Sequence, residues 1–83
     1  MKYPTIHLNG TSPDSLLDGL VGAMTGINAA IEALAVCCPN GRDYPQGGYS
    51  DAVDDHASRF SRLESVLKEL DLLALNISDQ SKR

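Results

Sequence analysis

The stretch PDSLLDGLVGAMTGINAAIEALAVCC, residues 13–38, decides the fold. Advancing about 100° per residue along a helix gathers Leu16, Leu17, Leu20, Val21, Met24, Ile27, Ile31 and Leu34 into one sector. Gly19, Gly22, Ala23, Gly26, Ala29, Ala30, Ala33 and Cys37 gather into another. Asp18, Thr25 and Glu32 keep only a narrow strip for water. Each interior glycine weakens a helix by about 1 kcal/mol relative to alanine, so close packing has to offset Gly19, Gly22 and Gly26. A helix with two apolar sectors needs two covers, and an 83-residue chain has few elements to supply them.

One cover is legible downstream. Ser50 reads as the N-cap of a second helix, with Asp51, Asp54 and Asp55 complementing its dipole. Val53, His56, Phe60, Leu63, Leu67, Leu70, Ala74 and Ile77 then recur at alternating spacings of three and four, a coiled-coil-like seam. This seam is expected to pack on the large-residue sector of the first helix as an antiparallel hairpin. The small-residue sector is left over. Glycine and alanine let helix backbones approach closely, so its expected occupant is a helix from another subunit, the alternative being the N-terminal segment or the loop folding back.

The flanks complete the plan. Thr5, Ile6, His7 and Leu8 alternate as in a half-buried strand, and Pro4 marks an edge position. A lone strand forms no sheet, so the same strand of a second copy is its expected partner. Ser12 caps the first helix with Pro13 at its first position, and Pro39-Asn40-Gly41 stops it. The expected organisation is one mainly α domain, an antiparallel two-helix hairpin with a short N-terminal strand, assembling as a homo-oligomer. Its elements are a strand at 5–8, a helix at 13–38, a loop at 39–49, a helix at 50–77 and a frayed tail at 79–83.

Composition narrows the classes. A net charge of −4 argues against binding DNA or RNA polymers, which needs a basic footprint. Asp14, Asp18, Asn28 and Glu32 are costly at bilayer depth, so no membrane span is expected of the first helix. Cys37 and Cys38 are adjacent, a poor arrangement for a disulfide or a zinc site. They read as reduced thiols, with Cys37 packing as a small hydrophobe. Lys2 is followed by Tyr3-Pro4 rather than an apolar run, so no signal peptide is expected and the localisation reads as cytoplasmic.

Chemistry-bearing side chains cluster outside the helices. The loop Asn40-Gly41-Arg42-Asp43-Tyr44-Pro45-Gln46-Gly47-Gly48-Tyr49 holds Arg42, suited to a bidentate grip on phosphate or carboxylate. Asp43 suits a ribose hydroxyl, Gln46 a base edge, and Tyr44 and Tyr49 stacking. Tyr3, His7, Asn9 and Thr11 add polar and aromatic groups from the N-terminal segment. His56 lies on the seam one turn into the second helix, where a core or boundary role and a ligand role both stay open. Asn28 sits at the edge of the large apolar sector, where setting helix register is the plainer role. No nucleophile motif or phosphate-binding glycine–lysine loop is present, so neither catalysis nor a cofactor or metal is expected.

At Tyr3-Pro4-Thr5-Ile6-His7-Leu8-Asn9-Gly10-Thr11 and Gly41-Arg42-Asp43-Tyr44-Pro45-Gln46-Gly47 the chain resembles a group of small uncharacterised proteins encoded by phages and prophages. In that group a second tyrosine often precedes the loop proline, whereas here Tyr44 stands alone. A looser likeness in size and oligomeric habit is to phage anti-defence sponges, which sequester nucleotide-derived immune signals between subunits. It implies a non-catalytic oligomer in the host cytoplasm binding a cyclic nucleotide or ADP-ribose-like ligand. A structural or adaptor protein that inhibits a host or phage protein through its helical surface fits the same sequence.

Overall fold

The computed structural model describes residues 1–82 and contains two long helices joined by a tight connection. Helix α1 runs Pro13–Val36. Ser12 caps it as the sequence requires: its backbone is extended and its hydroxyl oxygen accepts from the Ser15 N–H at 3.2 Å. Termination comes two residues earlier than expected. Pro39 pushes the residue before it away from helical geometry, and the Cys37 N–H instead closes a short turn on the Leu34 carbonyl at 2.9 Å.

The connection is a chain of local turns. The Asn40 side chain accepts from the Arg42 N–H at 3.1 Å and starts a single 3-10 turn, Gly41–Asp43. The Gly47 N–H then bonds to the Tyr44 carbonyl at 3.1 Å, closing a turn over Pro45. Gly47 and Gly48 follow with φ of +97° and +92°, a left-handed backbone that strains any residue with a Cβ. This pair swings the chain directly into helix α2, Tyr49–Ser81. The cap is therefore Gly48 and not Ser50, which lies inside the first turn, and no side chain caps this end.

Two terminal expectations change for one reason. Residues 5–8 form no strand, and α2 does not fray after Ile77 but continues to Ser81. The Gln80 side-chain amide links the two. Its Oε1 accepts from the Ile6 N–H at 2.9 Å, and its Nε2 donates to the Pro4 carbonyl at 2.8 Å and to Asn76 Oδ1 at 2.7 Å. The amide thus offers the extended arm the donor–acceptor pair that a neighbouring strand would offer. No second copy is needed to satisfy it, and the contact orders the last turn of α2.

The hairpin itself follows the two seams. Leu17, Leu20, Met24, Ile27, Ile31 and Leu34 of α1 are half-buried, as are Phe60, Leu63, Leu67, Leu70 and Ala74 of α2. Only Ile77 (1% exposed) and His56 (7%) are buried among the described residues. Val21 and Val53 were expected on the packed sectors but lie 57% and 40% exposed. Two helices cover only the narrow strip between them; Val21 falls outside it, and Val53 sits where the strip begins, near the start of α2.

The result is a rod of 60 × 20 × 17 Å. Its radius of gyration is 18.2 Å, against about 12 Å for a compact chain of this length. Its accessible surface of 6116 Å² exceeds by about 1,300 Å² that of a compact monomer of its mass. The small-residue sector of α1 is exposed along its whole length, Cys37 included, and a Cβ built on Gly19, Gly22 or Gly26 meets nothing within 4 Å. Neither the arm nor the loop folds back over it. With a mean hydropathy of 1.5, α1 is long and apolar enough to cross a membrane by length and composition alone.

Ile77→Ala should lower stability by about 2–5 kcal/mol, whereas the exposed Val21→Ala should change it by about 0.5 kcal/mol or less. Urea denaturation followed by helical circular dichroism reads both. Equal losses would place the stabilising contacts elsewhere.

Candidate functional site

Where the helices join, the chain leaves a cleft of about 390 Å³, within the size range of small-molecule sites. Cys38, Pro39 and Asn40 wall it on the α1 side, and Asp43 and Tyr44 come from the connection. The first turns of α2 supply Gly48, Asp51, Ala52, Asp55, His56 and Arg59. Their spacing places Asp51, Asp55 and Arg59 one turn apart on the face of α2 that also carries His56. The abrupt start of α2 at Gly48 brings this face up to the loop.

His56 is the unusual member. Its ring stands edge-on to Phe60, with centroids 4.9 Å apart and planes at 86°, a favourable aromatic geometry. Yet its Nε2 is shut off from water and has no hydrogen-bond partner. A buried polar atom without a partner costs about 1–3 kcal/mol, and an all-apolar seam would avoid that cost. At the rim, the Tyr44 and Tyr49 rings face each other at 6.2 Å and 52°. The cleft's charge is lopsided, with three carboxylates (Asp43, Asp51, Asp55) against the single guanidinium of Arg59. Among the described residues no group of His, Cys, Asp and Glu is disposed to hold a metal ion.

The sequence-derived site residues divide into two sets. Asp43, Tyr44 and His56 line the cleft, Tyr49 stands at its rim, and Arg42 and Gln46 project from the same exposed connection. Tyr3, His7, Asn9 and Thr11 belong to the other end of the rod. The arm is held at Gln80, and the 24 residues from His56 to Gln80 span about 36 Å of helix. A single chain does not bring the two sets together. Asp51 and Asp55 were read as helix-stabilising charges and, with Arg59, missed as cleft residues; the i, i+4, i+8 alignment of the three beside His56 was the available signal.

No protein-family model, curated protein or solved structure matches this chain. The chemistry of the cleft is therefore legible only in its own residues.

His56→Leu should raise stability by about 1 kcal/mol, because it removes an unpaired buried polar atom and keeps an apolar side chain of similar reach. In a chain this small that corresponds to roughly 4–8 °C in the unfolding midpoint. A drop in midpoint would show that Nε2 is paired in solution.

Proposed function

We propose that this protein is a non-catalytic homo-oligomer that binds and sequesters a nucleotide-derived immune signal between subunits, a cyclic nucleotide or an ADP-ribose-like molecule, and so antagonises host anti-phage defence. The observation that carries the reading is the loop-end cleft. It combines the Tyr44 ring, with Tyr49 tilted against it, three carboxylates and an unsatisfied buried imidazole in a volume suited to a nucleotide-sized fragment.

The charge pattern orders such a ligand. Asp43, Asp51 and Asp55 accept from ribose hydroxyls and base N–H groups, which places sugar or base in the cleft. Phosphate cannot lie among three carboxylates, so it turns outward to Arg42 and Arg59, where a planar guanidinium matches its oxygens. Tyr44 and Tyr49 offer ring faces to the base. Sequestration needs tight binding alone. The polar groups of one chain enclose this ligand only partly, which suits a pocket completed by a second copy.

A protein partner is the second reading. Leu72 and Leu75, 44% and 55% exposed on α2, favour it, because an apolar pair on an outer helix face is a natural anchor for a partner helix.

Incubation with a panel of cyclic dinucleotides and ADP-ribose derivatives should raise the unfolding midpoint with one of them. Ligand at a hundred times its dissociation constant adds about 2.7 kcal/mol. Arg42→Ala and Tyr44→Ala should abolish the shift while leaving the oligomer intact, and heat denaturation should release the ligand unchanged. Recovery of an altered ligand would point to an enzyme. No shift with any ligand, together with a co-purifying host protein, would favour the adaptor.

A further inference from the structure

The exposed sector of α1 is a second heptad seam. Gly19, Gly22, Gly26, Ala29, Ala33 and Val36 recur at alternating spacings of three and four, as Leu17, Leu20, Met24, Ile27, Ile31 and Leu34 do on the seam that packs against α2. The second seam is the first displaced by two residues. It is also graded in size, since its first half is glycine and its second half carries methyl and isopropyl groups. Val36 ends it at 87% exposed.

The gradation fixes how the seam can pack on itself. In a parallel pair glycine would face glycine and leave voids, while Val36 would face Val36 and hold the helices apart. In an antiparallel pair Gly26 lies opposite Ala29 of the second copy, Gly22 opposite its Ala33 and Gly19 opposite its Val36. Each glycine then receives a side chain, and each side chain meets a glycine. The surface of α2 is a poorer match, because its flank beside Met24 and Asn28 carries Glu64, Lys68 and Asp71 and its outer face carries Glu69. The chain's surface excess of about 1,300 Å² over a compact monomer is more than the roughly 800 Å² per partner that a standard interface removes.

We infer that a second copy of this chain packs its α1 antiparallel on this seam, about a two-fold axis between Gly26 and Ala29. The same register carries the partner's Ser12 end of α1, with Asn9 and Thr11, alongside the connection that holds Arg42 and Tyr44. The pair thereby brings the partner's Asn9 and the partner's Thr11, which one chain keeps about 36 Å away, beside each connection, while Tyr3 and His7 stay with the arm at Gln80. The inference rests on the homo-oligomer of the proposed function and specifies the surface and orientation that complete its pocket.

Disulfide mapping tests it. In a chain bearing Cys37→Ser, Cys38→Ser, Gly19→Cys and Val36→Cys, the two new thiols of one copy are about 26 Å apart along α1 and cannot bridge within it. Mild oxidation should link position 19 of one copy to position 36 of another, read by peptide mass spectrometry. Gly26→Leu, whose side chain meets open space within the hairpin, should keep the helical circular dichroism and lower the sedimenting mass at least twofold. Links only between like positions, or a Gly26→Leu protein that keeps its mass, would overturn this interface while leaving an oligomer standing. A wild-type mass of 8.9 kDa at micromolar concentration would overturn both. So would a monomer that floats with phosphatidylcholine vesicles, since lipid would then cover the seam.

Discussion

The single strip of contact between α1 and α2 governs everything else in this molecule. Two antiparallel helices bury only the side chains that point at each other, so Val21, one position past Leu20 on the seam, stays wet, and Val53, near the start of α2, is 40% exposed at the seam's end. Among the described residues only Ile77 and His56 leave solvent, and one of those is polar. Such a core is thin for a chain that must offset the conformational entropy of its ordered residues, about 1–2 kcal/mol each for the backbone alone. The hairpin is a half-covered unit.

The two ends of the rod answer this thinness differently. At the arm end the Gln80 amide serves as a one-residue strand, accepting from Ile6 and donating to Pro4, which lets a non-helical segment cap the bundle without a sheet. At the connection end the ordering devices are backbone turns: the Asn40 side chain, the Tyr44–Gly47 turn and two left-handed glycines. These turns save residues, and they start α2 without a capping side chain. The first turns of α2 therefore open toward the cleft, with Asp51, Asp55 and Arg59 on its wall.

Periodicity made the helices and their pairing legible in the sequence, because a spacing of three and four has one geometric meaning over several turns. Ser12 and Pro13 were legible for a similar reason: capping is local chemistry. Ser50 misled because a positive-φ glycine pair outran a serine cap, and the backbone of Gly47–Gly48 was set by the turn before it. The strand at 5–8 misled because alternation records which side is buried and leaves the partner unnamed; here the partner is a side chain 74 residues away. The site was half legible. Loop residues announced themselves by type, but Asp51, Asp55 and Arg59 became site residues only through the register that sets α2 against the connection.

The three α1 glycines bring these strands together. Within one chain they are a net loss: about 3 kcal/mol of helix stability forgone relative to alanine, with no neighbour inside 4 Å to benefit. That is a large fraction of the 5–15 kcal/mol by which folded domains are stable. Glycine is tolerated at such positions where a bulkier residue would obstruct something, and nothing inside the hairpin is obstructed. On the proposed interface the obstruction would lie outside it, in the seam of a second copy turned end for end, whose sizes complement those along Gly19, Gly22, Gly26, Ala29, Ala33 and Val36. The face that looks most wasteful in the isolated chain is the one whose packing would bring Asn9 and Thr11 of a second copy alongside the connection.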